Sequence, residues 1–303
     1  MARAVEVWPL DRVRELDRRS TIVWASPSVA AMIHDTFPFT PWILGQPLPE
    51  NARTLIAAGG GTLIDEAKRF VHDDAPQLRL IAIPSIWGSG AEAAPVVVLN
   101  RGAGKEIRMD DAYLPHARAV WPELAATIPR ERALEACGDA WAHALEGFLS
   151  PLASPGVRDD AAEIMRGMLE AGVGNDARWF ELSSRAAAMQ ARSSVGLIHG
   201  IAHTLEPAMN AAVWGHARLC ATYMRPVFVY DRRAEKVPAL LREHDLSADA
   251  ITGAAESLFD AGHYRQSLPA LESAWPSVLR DRCTRTNAVL VRQTDLQFFL
   301  DFA

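Results

Sequence analysis

Two short stretches carry the residues most able to do chemistry. Residues 195–219, VGLIHGIAHTLEPAMNAAVWGHARL, hold His199, His203 and His216, three of only nine histidines in 303 residues. Upstream, GDAWAHALEGFLS places Asp139 and His143 four apart. On a helix, residues i and i+4 share a face, so Asp139 with His143, and His199 with His203, each point one way. Alone, an Asp–His pair at this spacing is an ordinary helix-surface hydrogen bond, and one histidine is an ordinary core residue. A carboxylate with three imidazoles in one helical region is a mixed nitrogen and oxygen set that suits Fe(II), Zn(II), Mn(II), Co(II) or Ni(II). HGIAH is not a zinc-protease helix, because Gly200 stands where H-E-x-x-H requires a glutamate base. His216 follows beyond a helix break at Pro207.

A second chemistry is suggested by glycines. Gly59-Gly60-Gly61-Thr62 ends the apolar run RTLIAAGGGT and precedes the helical LIDEAKRFV. Glycine lets a backbone approach a ligand closely, and a helix N-terminus offers free N–H groups and a positive dipole end, which suits a phosphate. A tight strand-to-helix turn with no ligand would use the same residues. Neither G-x-G-x-x-G nor the P-loop pattern is present. The next run ends in IPSIWGSGAEAAP (83–95), where Gly88 and Gly90 flank Ser89. Two such loops at the ends of neighbouring parallel strands lie on one sheet edge, where ligands bind, and a diphosphate-containing cofactor needs such a pair.

These groups must be positioned by the elements around them. TIVWAS (21–26), WILGQ (42–46), RTLIAAGGGT, LRLIAIPS and EAAPVVVLN read as strands alternating with short helices such as SVAAMIHD. That alternation predicts a mostly parallel, Rossmann-like sheet with helices on its faces. From about residue 130 the period is near 3.6, over 131–150, 157–172, 177–205, 215–230, 236–244, 248–262 and 267–283. The expectation is an α/β nucleotide-binding domain over 1–129 and an all-α metal-binding domain over 130–303, hinged at Pro129 and Arg130, with a ligand cleft between them. A hydrophobic fraction of 49% and a charged fraction of 22% are those of a globular chain. A net charge of −6 argues against a nucleic-acid partner. No apolar run approaches the roughly 18 residues of a membrane span, and the N-terminus lacks a signal peptide's apolar centre, so a soluble cytoplasmic protein is expected. Cys137, Cys220 and Cys283 stand far apart without C-x-x-C spacing, which suits a reducing compartment and argues against a cysteine-rich metal site.

Four motifs in order resemble those of the iron-containing (group III) alcohol dehydrogenase family, which has a dehydroquinate-synthase-like fold. Its G-G-G-S-x-x-D-x-x-K is similar to Gly59-Gly60-Gly61-Thr62-Leu63-Ile64-Asp65-Glu66-Ala67-Lys68. Its I-P-T-T-x-G-T-G-S-E is similar to residues 83–92, IPSIWGSGAE, and its D-A-x-x-H-A-x-E to residues 139–146, DAWAHALE. Its G-x-x-H-x-x-A-H is similar to residues 196–203, GLIHGIAH.

The resemblance implies a divalent metal, Fe2+ foremost with Zn2+ as the alternative, held by Asp139, His143, His199 and His216. It implies that His203 stands beside the nicotinamide of NAD(H) or NADP(H) as a polar or proton-relay group. It places Gly59, Gly60, Gly61, Thr62, Asp65, Ser85, Gly88 and Ser89 around the cofactor pyrophosphate, and Lys105 near its ribose. The implied protein is a homodimeric alcohol dehydrogenase or aldehyde reductase acting on a small aldehyde or alcohol. Departures are visible. Ile86, Ala91 and Ala94 replace hydroxyl residues, Trp87 fills a small-residue position, and GHA replaces PHG around the last histidine. The chain reads as a shortened form, with too little sequence between TIVWAS and RTLIAAGGG for a full strand and helix. Those departures leave two other readings open, a lyase or cyclase of the dehydroquinate-synthase type and a scaffold subunit. Metal content with nucleotide binding separates them. Trp87 and Trp214 are expected to narrow the pocket, Trp141 to face the core, and Arg218 and Arg225 to be solvated.

Overall fold

The computed structural model describes residues 5–101, 104–210 and 213–302. Its strands are β1 (Glu6–Trp8), β2 (Thr21–Ala25), β3 (Thr40–Pro41), β4 (Thr54–Gly59), β5 (Arg79–Pro84), β6 (Val96–Arg101), β7 (Gly104–Met109) and β8 (Ala117–Ala119). Between them lie the helices α1 (Leu10–Arg14), α2 (Ala30–Thr36) and α3 (Gly61–Arg69). The helical part comprises α4 (Arg130–Leu149), α5 (Pro155–Ala171), α6 (Arg178–Gln190), α7 (Leu197–Leu205) and α8 (His216–Asp231). It continues through α9 (Lys236–Glu243), α10 (Ala248–Leu258), α11 (Ala261–Val278) and α12 (Leu296–Leu300).

Six strands form one sheet in the order β1-β8-β5-β4-β2-β3, with every neighbouring pair parallel. All six residues of the central β4 are buried, as an apolar run covered on both faces requires. The chain leaves β2 toward the edge strand β3 and then leaves β4 in the opposite direction toward β5. Such a reversal opens a crevice at the carboxyl ends of the strands, where Gly59 and Pro84 stand side by side. The α/β part followed by a helical part is the fold class read from the sequence.

Several elements differ from that reading. WILGQ is not a strand: the ladder with β2 covers Thr40 and Pro41, the Trp42 N–H still donates to the Val23 carbonyl at 2.8 Å, and Gly45 then turns the chain at φ +94. EAAPVVVLN does yield a strand, β6, but it pairs antiparallel with β7 outside the main sheet. The segment that looked too short holds both α2 and β3. The helical stretch 177–205 is two helices, α6 and α7, broken at Ser193-Ser194-Val195-Gly196, four residues with weak helical preference.

One buried carboxyl links three elements. Asn287 donates to Asp231 Oδ1 at 2.7 Å and accepts from the Leu197 N–H at 3.0 Å, joining the end of α8 to the start of α7. Burial pushes the Asp231 carboxyl up to about 8 from its ordinary 3.8. The folded chain therefore keeps a proton that the unfolded chain releases, and stability falls as pH rises from about 4 to about 8. Asp231→Asn is expected to make that decline shallower, read as the urea midpoint at pH 5 and pH 8. An unchanged difference between the two midpoints would contradict this account.

Candidate metal centre and its cavity

A cavity of about 670 Å³ opens beside the carboxyl ends of β4 and β5, within the range of roughly 300–1,000 Å³ common for small-molecule and cofactor sites. Its wall combines the start of α3 (Gly61, Thr62, Asp65) with polar groups of α4, α7 and α8.

The helical wall is built by close packing. A Cβ on Gly138 would lie 2.5 Å from the Ala221 Cα, so α4 and α8 meet backbone to backbone. Their neighbouring side chains, Asp139 on α4 with His216 and Cys220 on α8, are thereby brought together. Asp139 Oδ1 lies 3.6 Å from His216 Nε2 and 3.8 Å from His199 Nε2. One ligand-capable atom from each of Asp139, His199, His216 and Cys220 lies within 4.8 Å of the others.

Glu146 orients His199. It accepts from His199 Nδ1 at 2.7 Å and from the backbone N–H groups of Ile198 and His199, capping α7 from α4. Gly196, at the N-cap position of α7, supplies no side-chain cap of its own. With Nδ1 fixed on Glu146, His199 presents Nε2 toward Asp139. Burial pushes Glu146 up to about 7. Burial also opposes ionisation of Asp139, but the imidazoles of His143, His216 and His199 outweigh it and hold that carboxyl below its usual range.

Among the described residues, no hydrogen-bond donor reaches the buried Asp139 Oδ1, although two imidazole nitrogens stand just beyond hydrogen-bond distance. A buried carboxylate oxygen in that position is costly unless a cation lies between it and those nitrogens. The donor set therefore fits a divalent ion.

His143 lines the cavity and stacks on His199 with centroids 4.6 Å apart, its Nδ1 lying 3.3 Å from the Gly88 carbonyl oxygen. It stands outside the tight group of four atoms, and Cys220 stands inside it. His203 stacks on His216 at 5.3 Å, and its Nδ1 faces Asp281 at 3.9 Å and Cys283 at 3.7 Å. These three form a second cluster, of which His203 and Cys283 line the same cavity.

Of the predicted cofactor residues, Gly61, Thr62, Asp65 and Ser89 reach the cavity wall. The N-cap of α3 is Gly60, with no side chain over the helix end. Asp65 is engaged within the protein: Oδ1 accepts from Lys68 at 3.1 Å and Oδ2 from the Val98 N–H at 3.0 Å. Gly59, Gly60, Ser85 and Gly88 are not among the residues that line the cavity. Gly88, at φ +110, is clamped by Ser183, whose Oγ accepts from its N–H at 2.8 Å and donates to its carbonyl at 2.9 Å. Gly90, at φ +56, would place a Cβ 2.8 Å from the Ser183 carbonyl oxygen, so close approach to α6 accounts for it. The side chain of Lys105 lies outside the described residues.

Trp87 is buried on the cavity wall, donating to the Ala133 carbonyl at 3.2 Å, and Trp141 is fully buried in the core. Trp214 packs against His263 and is not among the residues that line the cavity. Arg218 and Arg225 are not simply solvated. Arg218 donates to Glu135 and Glu131 at 2.6 Å each, and Arg225 lies over Phe259 and Phe302.

Sequence reasoning missed Cys220, Glu146, Asp281 and Cys283. Cys220 follows His216 by four residues, and Glu146 shares the face of Asp139 and His143, so the helical spacing used for the histidines would have found both.

No family model matches the chain. An alcohol dehydrogenase from Thermococcus barophilus is 27% identical over 209 residues, covering 60% of this chain and 54% of that protein. A 4-hydroxybutyrate dehydrogenase from Cupriavidus necator is 29% identical over 183 residues, covering 50% of this chain and 47% of that protein. The chain thus spans about half the length of the curated relatives it matches. An iron-containing alcohol dehydrogenase from Corynebacterium glutamicum superposes with a TM-score of 0.83 at 20% identity, covering 99% of this chain and 95% of that one.

Proposed function

The chain has the fold of the iron-containing alcohol dehydrogenases, and on that premise we propose that it is a metal-dependent, NAD(P)-linked alcohol dehydrogenase or aldehyde reductase for a small substrate. The observation that carries this reading is the unsatisfied Asp139 Oδ1 between two imidazole nitrogens on the wall of the cavity that also exposes the start of α3. In this reading residues 1–129 form the nucleotide-binding domain, residues 130–303 form the metal-binding domain, and two copies make a cytoplasmic homodimer.

When bound, the divalent ion, iron or zinc, polarises a carbonyl oxygen and the nicotinamide donates or accepts hydride. Asp139, His199 and His216 present the converging donor atoms, and His143 completes the set from the same face of α4. Glu146 holds the His199 tautomer that leaves Nε2 as a donor atom. The N–H groups of Gly61 and Thr62 at the uncapped start of α3, with Ser89 beside them on the wall, would hold the cofactor phosphates. His203, with Nδ1 toward Asp281, exchanges the proton of the alcohol hydroxyl with solvent.

The test is to purify the protein anaerobically, measure bound metal, titrate NADH and NADPH by fluorescence, and assay oxidation of either nucleotide by short aldehydes. Metal with neither nucleotide bound would overturn the dehydrogenase reading. Glu146→Gln retains the side chain's size but weakens its hold on His199. It is expected to lower metal affinity about 10- to 100-fold, measured by competition with a chromophoric chelator.

A further inference from the structure

Cys220 sits on the face of α8 that carries His216, four residues earlier, and the contact between Gly138 and Ala221 presses that face onto α4 beside Asp139. Its Sγ lies 3.6 Å from His216 Nε2. We propose that Cys220 is a metal ligand, adding a thiolate to the carboxylate and imidazoles of this centre and biasing it toward zinc over iron. The inference rests on the metal centre proposed above.

The spacing of the donor atoms supports it. With Zn–N and Zn–O of about 2.0–2.1 Å and Zn–S of about 2.3 Å, adjacent ligands at angles near tetrahedral stand at ligand-to-ligand edges of roughly 3.3 Å between N and O and 3.6 Å between N and S. The observed separations are 3.6 Å and 3.8 Å from Asp139 Oδ1 to the two imidazole nitrogens, and 3.6 Å from His216 Nε2 to Cys220 Sγ. Each lies within about 0.5 Å of the corresponding edge. The second observation is Asp139 itself, whose buried Oδ1 faces the same point without a donor. Helical spacing from His216 accounts for one of these approaches, but the sulfur also lies within 4.8 Å of a ligand-capable atom on Asp139 and on His199, which belong to α4 and α7. A soft thiolate among these donors selects zinc over a harder ion, whereas an all nitrogen and oxygen set accepts iron readily.

The experiment uses the full chain, stripped with a chelator and reloaded anaerobically with Co2+. The wild type is expected to bind one Co2+ per chain with a thiolate-to-cobalt charge-transfer band in the near ultraviolet. Cys220→Ser should bind Co2+ without that band, while Cys283→Ser, from the neighbouring cluster, should keep it. Zinc affinity of the Cys220 variant should fall about tenfold or more, with the zinc-to-iron preference falling alongside. X-ray absorption on the zinc-loaded wild type supplies a check that needs no variant, and one sulfur at about 2.3 Å is expected. Cobalt bound without the band, a band that survives in Cys220→Ser, or a zinc shell of nitrogen and oxygen alone would overturn the role of Cys220 and leave the metal centre standing. No cobalt bound by the wild type would overturn the metal centre as well.

Discussion

Asp139→Asn is expected to strip the protein of its divalent ion and abolish turnover. The substitution keeps the shape of the side chain but removes the carboxylate that stands between His199 Nε2 and His216 Nε2. It also leaves a buried amide in a position built for charge. The loss in metal affinity should exceed the roughly 10- to 100-fold cost of disturbing an outer hydrogen bond to a ligand. Elemental analysis of the purified variant, with nucleotide oxidation by an aldehyde, reads both effects. Full metal stoichiometry in Asp139→Asn would place the ion elsewhere. The variant should fold, because no hydrogen bond to Asp139 Oδ1 is lost.

Lys68→Met is expected to produce the largest loss of stability. Lys68 is 1% exposed. Its Nζ donates to Asp65 Oδ1 at 3.1 Å, to the carbonyl oxygens of Ala91 and Ala94 at 2.9 Å each, and to that of Val96. This ammonium pins α3 to the loop after β5 and to the start of β6. Burial draws its pKa down, and the Asp65 carboxylate offsets part of that cost. Methionine matches the chain length but leaves a buried carboxylate and three carbonyls without their donor, a change that costs about 3–5 kcal/mol. Urea denaturation measures it, and adding Asp65→Asn should recover part of the loss, because the two sites share one interaction. A single-variant cost below about 1 kcal/mol would show that the clamp does not hold this wall.

The architecture was legible wherever a local pattern persisted over several residues. Long apolar runs marked β4 and β5, and the 3.6 period marked α4, α5 and α8 almost to their ends. β1 and β8, three residues each, are too short to show any periodicity. β6 has the composition of a buried parallel strand, and only its partner β7 makes it a hairpin. At the site, the i, i+4 rule found the faces of Asp139 with His143 and of His199 with His203, but it cannot say which faces meet. The meeting of Asp139 with His216 and Cys220 depends on a glycine in α4 lying against an alanine in α8, a contact between elements distant in the chain. His143 stacks on His199 beside the tight cluster, and its Nδ1 engages the Gly88 carbonyl, an arrangement that spacing along α4 alone does not reveal. The glycines at 88 and 90 also answer packing demands that the sequence does not show, since a Cβ would meet α4 at Gly88 and α6 at Gly90.

Glu146 has a kinetic consequence for this centre. One side chain caps the first turn of α7 and holds the imidazole of His199, so fraying of that turn and release of the imidazole are a single event. An ion held through His199 would leave through opening of the α4–α7 joint, and the backbone amides of Ile198 and His199 would exchange with solvent through that same opening. Residence time at this site is thus a property of a local unfolding step, and occupancy stabilises that step against opening by mass action.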